Sequence, residues 1–530
     1  MQRLRSLAVA VLAAVLVPAS RVASQQPPPA PRLVVHITVD QLTPAYFERY
    51  GGELTGGLAR LLREGASYTR AYQDHAITET APGHSVVLSG RYPRSTGIVT
   101  NMMGVPDPQE QLVGGGTKAQ GPSSPFRFRG TTLIDWMRFR DERSRALSVS
   151  CKDRGAILPL GRAKQDVYWY DGLRRFTTSS YYADTLPDWV QRFNRSEPLQ
   201  AMRGTAWTLL RDSSQYREAD RDSIETWGRD PVFPHVVPAT LPSSCTYMYY
   251  PRMDEMIARL ALAGVEAMQL GAGGAPDLLA ISFSPTDAIG HNFGPDSREA
   301  HDQFLHFDRT LGFFLDSLFR LRDPSTVIIS LTADHGIGSI PEVWARTHRL
   351  PVPRFDPRPV LAPVRRALAA RGVDSMAVEL ESGALLVDRA ALAAKGIRAD
   401  SVVRLLARAF RAAPGVDRVY LRGELARRAA RGDRIARRWN HMLPADVAAE
   451  LMVVLAPHAL WKNSSVPANH GAPWDYDAWV PLILWGPGIR PGRFHREVGV
   501  VDLAPTLARL LGVEPSEPLD GRPLREALAR

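Results

Sequence analysis

Leu33-Val34-Val35-His36-Ile37-Thr38-Val39-Asp40 is a near-continuous apolar run that ends in an acid. A strand apolar along its whole length is one buried on both faces, as in a parallel sheet covered by helices. An acid at its carboxyl end then stands where such sheets gather ligand groups. The design recurs. Asp277-Leu278-Leu279-Ala280-Ile281-Ser282-Phe283 leads to Asp287, and Thr326-Val327-Ile328-Ile329-Ser330-Leu331-Thr332 leads to Asp334 and His335. Ala146-Leu147-Ser148-Val149-Ser150 leads to Lys152, and Trp479-Val480-Pro481-Leu482-Ile483-Leu484-Trp485 follows His470 closely. Amphipathic helical patterns lie between these runs, from Ala45 to Glu64, Met253 to Leu270 and Ser297 to Leu321. The last brings Phe304, Phe307, Leu311, Phe314, Leu315 and Leu318 to one face. Strands alternating with helices predict an α/β fold, a doubly wound and mostly parallel sheet flanked by helices.

Two stretches break the rhythm. Roughly Gly155 to Ser244 is rich in aromatics and arginine, and roughly Pro351 to Leu460 is rich in alanine and arginine. Both read as insertions over the edge where ligand groups collect, since α/β folds vary function there. Val501-Asp502-Leu503-Ala504-Pro505-Thr506-Leu507 opens a closing helix, with Asp502 expected to help cap it.

The chain starts with Met1-Gln2-Arg3-Leu4-Arg5, then a short apolar run from Ser6 to Val17, Pro18 and the small residues of Val22-Ala23-Ser24. This is the pattern of a secretory signal peptide over 1–24, which predicts an exported protein, periplasmic or secreted. Residues 25–32, proline-rich, read as an extended spacer. No later stretch is long and apolar enough to span a bilayer. Cys151 and Cys245 are the only cysteines, too few for a disulfide framework, and their spacing leaves both pairing and two thiols open. The formal net charge of +10 is carried almost wholly by arginine. Arg365-Arg366, Arg427-Arg428, Arg431 and Arg437-Arg438 lack interleaved aromatics and stand among acids, which fits a solvated surface and no specific nucleic-acid partner. A positive field still favours the approach of anionic substrates.

Chemistry is expected where Asp40, Asp287 with His291, and Asp334-His335 leave three strand ends and a loop adds His470. The i, i+4 spacing of Asp287 and His291 puts both on one side of a helical turn. Adjacent Asp334 and His335 serve one ion from a sharp turn, or one each of two. Six nitrogen and oxygen ligands without a thiolate suit two divalent ions of the zinc type, a usual device for in-line phosphoryl transfer. The stretch Ala76-Ile77-Thr78-Glu79-Thr80-Ala81-Pro82-Gly83-His84-Ser85 places Thr80 at the first turn of a helix. Its unpaired N–H groups and dipole there favour an alkoxide and a bound phosphate. Thr80 is the expected nucleophile, with Thr78 the alternative. His84, one turn on, is expected to orient the helix. Glu79 is expected to turn away from a bound phosphate. His75, His301 and His306 have no convergent partner in the sequence.

Together these stretches resemble the alkaline phosphatase superfamily and, within it, the phosphate-irrepressible (PafA-type) alkaline phosphatases. The matching segments are Thr80-Ala81-Pro82-Gly83-His84 with Asn101, Cys151-Lys152-Asp153-Arg154-Gly155-Ala156, Ser282 through His291, Asp334-His335-Gly336 and Asn469-His470-Gly471, with Thr178-Ser179-Ser180-Tyr181-Tyr182 as a further likeness. The resemblance covers nearly all of 33–530, which then reads as one catalytic domain. It implies two zinc ions per chain, one held by Asp287, His291 and His470, the other by Asp40, Asp334, His335 and the Thr80 oxygen. It also implies that Asn101, Lys152 and Arg154 contact the phosphoryl oxygens, and that phosphate monoesters are hydrolysed through a phosphothreonine. A monoester carries one more negative charge than a diester, so the cationic pair Lys152 and Arg154 favours it. Two readings stand beside this one, a phosphodiesterase of the nucleotide pyrophosphatase kind and a catalytically silent secreted binding protein. A sulfatase is disfavoured, because Thr80 and His84 depart from the Cys/Ser-x-Pro-x-Arg pattern.

Overall fold

The computed structural model describes residues 30–529 apart from 115–120, 173, 197–199, 221–231, 241–245, 463 and 465. The expected leader and most of the spacer therefore lie outside the described residues, as does Cys245. At Arg32 the chain has already joined the sheet, its N–H donating to the Thr326 carbonyl at 2.8 Å.

The fold is built on one ten-stranded sheet. Its strands are β1 (Leu33–Val39), β2 (Ala66–Tyr72), β3 (Ala146–Ser150), β4 (Asp166–Tyr170), β5 (Phe176–Thr177), β6 (Asp277–Phe283) and β7 (Val327–Thr332), joined from the C-terminal part by Trp479–Trp485, Gly492–Phe494 and Val498–Gly499. Five strands, in the spatial order β7-β1-β6-β3-β4, are parallel. β1, β3, β6 and β7 are entirely buried, and each such Leu, Val or Phe side chain contributes roughly 1.5–3 kcal/mol on leaving water. Parallel neighbours end on the same side. The residues just beyond β7, β1, β6 and β3 are thereby brought side by side at one edge of the sheet, as the strand-end pattern predicts.

Two strands, β2 and β4, escape the apolar-run reading. β2 alternates buried and half-exposed positions because it lies toward the sheet edge, and Trp479–Trp485 runs antiparallel between β2 and β7. β4, inside the aromatic stretch after Gly155, pairs in parallel with β3 and so belongs to the central sheet.

The helices flank this sheet: α1 (Pro44–Tyr50), α2 (Gly57–Glu64), α3 (Thr80–Val87), α4 (Arg252–Ala267), α5 (Pro285–Phe293) and α6 (Arg298–Leu321). The single helix expected over 45–64 is two, broken at 51–56, where glycines lower helix propensity and a 3₁₀ turn intervenes. α6 starts where Ser297 caps it, its hydroxyl accepting the Ala300 N–H at 3.1 Å, and its predicted apolar face is buried in the core. Asp502 sits at the cap position of Leu503–Leu511 without capping it. Its carboxylate instead accepts the N–H groups of Gly499 and Arg522. No helix among the described residues is long and apolar enough to cross a membrane.

Residues 351–460 form a four-stranded antiparallel sheet containing the hairpin Val378–Glu381/Ala384–Val387, with the helices Arg358–Ala369 and Ala399–Arg411 over its own apolar core. Arg437 and Arg438, part of the expected solvated surface, are used structurally: both pair with Asp74, at 2.8 and 3.3 Å, and Arg438 is buried.

In α4, buried Asp254 accepts a hydrogen bond from Gln303 of α6 at 2.8 Å, and burial pushes its carboxyl up to about 8. An acid whose folded value lies above its unfolded one costs stability as pH rises, from near 3.8 until the folded group ionises near 8. Asp254→Asn, which keeps an acceptor for Gln303, is expected to melt higher than the parent at pH 8–9 and to converge with it near pH 4. Parallel melting curves across that range would contradict the assignment.

Candidate active site

α3 carries Thr80 as its first helical residue, after Glu79 in extended conformation. Gly83 allows the approach, since a Cβ there would lie 2.1 Å from the Asp334 carbonyl oxygen just beyond β7. His84 fixes the helix as expected. Its Nδ1 lies 2.9 Å from the Thr80 carbonyl and 3.1 Å from Asp334 Oδ2, and its Nε2 lies 2.9 Å from the Ser282 hydroxyl. On the other flank the Ala81 N–H donates to Asn101 Oδ1 at 2.9 Å. Of the two threonines, Thr78 spends its hydroxyl on the Ala472 carbonyl. The Thr80 hydroxyl makes no hydrogen bond among the described residues.

The acids and histidines converge. Asp287 and His291 approach to 3.2 Å within α5, and His470 Nε2 lies 3.2 Å from His291 Nε2 and 3.5 Å from Asp287 Oδ1. His335 Nε2 lies 3.4 Å from Asp40 Oδ1 and 3.6 Å from Asp334 Oδ2. Each histidine commits Nδ1 to a backbone carbonyl: His291 to Ala468, His335 to Gly336 and His470 to Thr78. Nε2 is therefore left to face the centre, the usual way a protein orients an imidazole ligand. A cavity of about 380 Å³ opens here, between Asn101, His291 and His470 on one side and Leu380, Ser382 and Trp461 on the other.

Three carboxylates share this buried volume, and they do not titrate alike. Burial, then repulsion from Asp287 and Asp334, holds Asp40 well above the usual carboxylate range against the pull of Lys152. For Asp287 burial is outweighed by His291 and Lys152, and for Asp334 by His335 and His84, so both are held below that range. Burial pushes His335 down to about 3, leaving it a neutral imidazole. Lys152 resists burial because Asp287 and Asp40 hold its ammonium above its ordinary value.

The donor set fits divalent cations. Among the described residues, buried Asp40 Oδ1 and His335 Nε2 have no hydrogen-bonding partner. Two groups, Asp287-His291-His470 and Asp40-Asp287-His335, each bring their ligand atoms within 4.8 Å of one another. Lys152 Nζ stands in for a cation between them, 2.6 Å from Asp40 Oδ2 and 2.5 Å from Asp287 Oδ2. A buried carboxylate cluster of this kind needs paired positive charge.

A family model for type I phosphodiesterase/nucleotide pyrophosphatase matches residues 34–459. The chain belongs to this family. It is 27% identical to alkaline phosphatase PafA of Elizabethkingia meningoseptica, over 95% of this chain and 95% of that protein. Alkaline phosphatase PhoK of a Sphingomonas species is 28% identical, over 93% and 90%. A crystal structure of wild-type alkaline phosphatase PafA superposes with a TM-score of 0.88 at 26% identity, covering 94% of this chain and 99% of that one. The resemblance read from the motifs is thus borne out along the chain, with its alkaline-phosphatase-like fold. These likenesses support a phosphoric monoester hydrolase within the family.

Several side chains sit differently from expectation. Lys152, expected at the phosphoryl oxygens, is engaged by Asp40 and Asp287, while Arg154 lies 3.5 Å from Asp153. In the Asp40 group the third compact donor is Asp287 and not Asp334. Asp334 Oδ1 is taken by the Gln41 and His335 N–H groups. Glu79 does not turn away: it lines the cavity and accepts the Asn101 N–H at 2.7 Å. His301 lies between Glu53 and Glu218 and His306 beside Asp302, both away from the centre, and His75 is buried near Asp74. Sequence reading missed Gln41, whose φ of +67° lets its N–H reach Asp334 and its side-chain amide reach Asp287 at 2.7 Å. It missed Asp477 too, which accepts the Ala472 N–H and so fixes the loop bearing His470. Gln41 carries one signal, its place after a strand-end acid.

His84→Ala removes a buried hydrogen-bonding centre that joins α3 to β6, and is expected to cost about 1–3 kcal/mol in urea unfolding. An unchanged midpoint would contradict its bridging role.

Proposed function

We propose that this chain is an exported two-zinc alkaline phosphatase that hydrolyses small phosphate monoesters through a covalent phosphothreonine at Thr80, releasing inorganic phosphate. The observation that carries the reading is the convergence of Asp40, Asp287, His291, Asp334 and His335 beyond three adjacent strands with His470 from a loop, beside a helix that begins at a threonine whose hydroxyl is uncommitted among the described residues. Asp287, His291 and His470 would hold one zinc, and Asp40, Asp334, His335 and the Thr80 oxygen the other. Bound there, the metal pair supplies Lewis acidity, favouring ionised hydroxyls and offsetting charge on the leaving oxygen.

The chain's own residues do the rest. Thr80 Oγ1 attacks phosphorus as the bond to the alcohol oxygen breaks, and the alcohol departs. The N–H groups at the start of α3 and the Asn101 side-chain amide receive the non-bridging oxygens, where negative charge is greatest. Lys152 and Arg154 add positive charge at the same oxygens. For Lys152 this requires its flexible stem to carry the ammonium away from Asp40 and Asp287 when those acids engage metal. Water then attacks phosphorus, the bond to Thr80 breaks, and phosphate leaves with the hydroxyl restored. The leader expected over 1–24 supports export.

The family description makes a phosphodiesterase the second reading. An aryl phosphate and its methyl diester separate the two, and the proposal expects the monoester to be preferred. Replacing Lys152 and Arg154 together by alanine should cost the monoester roughly 10²–10³-fold and the diester much less. Equal losses would remove the pair from substrate choice. Thr80→Ala is expected to abolish phosphothreonine formation and turnover in a folded protein, and retained activity would pass the role to Thr78.

A further inference from the structure

Glu79 is tied to both sides of the cavity. Its Oε2 accepts the Asn101 backbone N–H at 2.7 Å, and its Oε1 accepts the Ser382 hydroxyl at 2.5 Å. Ser382 and Gly383 form the turn of the hairpin Val378–Glu381/Ala384–Val387, which belongs to the 351–460 segment and not to the central sheet. Ser382 holds a φ of +46°, a left-handed conformation that a residue with a Cβ seldom adopts, and Gly383 a φ of +85°. The hairpin tip is therefore joined to Asn101 through Glu79.

Asn101 is held from opposite ends. Its backbone N–H goes to Glu79 and its side-chain carbonyl to the Ala81 N–H, so only its amide donors remain for a ligand in the cavity. Charge-assisted hydrogen bonds of this kind are the strong ones, and a donor is worth most when its direction is fixed in advance.

We infer that Glu79 is a positioning residue that, anchored by Ser382, holds Asn101 aimed at the phosphoryl oxygens, so that the 351–460 segment sets the rate at which phosphate monoesters are cleaved. This rests on the role proposed for Asn101.

The test is a double-mutant cycle on the full chain, with kcat/KM for an aryl phosphate and the melting temperature read for every variant. Glu79→Ala should lower kcat/KM about tenfold, and Glu79→Gln, which keeps an acceptor, should recover most of that loss. In an Asn101→Ala background Glu79→Ala should cost less than about twofold more, because nothing remains to be aimed. Ser382→Gly carries the test if Glu79→Ala does not fold. Glycine suits a φ of +46°, so the melting temperature should hold or rise while kcat/KM falls in the same direction as in Glu79→Ala. Losses that multiply across the cycle, a glutamine no better than alanine, or full activity in Ser382→Gly would overturn the inference. An Asn101→Ala enzyme with undiminished turnover would overturn the role of Asn101 itself and the inference with it.

Discussion

Three carboxylates, Asp40, Asp287 and Asp334, are buried side by side, and one ammonium, Lys152, stands among them. Taking charge out of water is costly unless it is paired, and like charges at this separation oppose one another's ionisation. The opposite displacements of Asp40 and Asp287 are the outcome of that conflict: burial and its two acidic neighbours push Asp40 up, while His291 and Lys152 hold Asp287 down. Three acids at one point, with Asp40 Oδ1 and His335 Nε2 unpartnered among the described residues, make a site suited to cations. Parallel pairing makes this unavoidable. With β7, β1 and β6 in adjacent register, the residues just past their carboxyl ends must meet.

The surrounding shell spends its hydrogen bonds on direction. Backbone carbonyls take Nδ1 of three histidines, Gln41 spans two of the acids, and Asp477 holds the loop that delivers His470. The helix that begins at Thr80 is set by contact, since Gly83 lies against Asp334 with no room for a side chain, and His84 ties its first turn to β6. A cluster this constrained keeps its side chains aimed, as the hydrogen bonds around metal-binding residues do.

Most of the fold and the site was legible because each piece has a local signature. Runs apolar on both faces marked β1, β6 and β7, and an acid after each marked the edge. A four-residue spacing placed Asp287 and His291 together, and Ser297 marked the start of α6. The residues that escaped notice depend on distant pairing. Gln41 reads as one more polar residue until β1 lies between β6 and β7. Glu79 turns inward to meet both the Asn101 N–H and Ser382, about three hundred residues on. β2 hides its strand behind the half-exposed Ser67 and Thr69 and the exposed Arg70. Asp502 stands where a cap belongs, but Gly499 and Arg522 reach its carboxylate first.

If the carboxylate cluster exists to hold metal, the metal must be found in the protein and must stabilise it. Elemental analysis of the purified full-length protein, paired with melting before and after chelation, tests this most directly. The account predicts two zinc ions per chain and a fall in melting temperature on their removal, reversed when zinc is restored. A protein that carries no divalent ion and melts unchanged in chelator would contradict it.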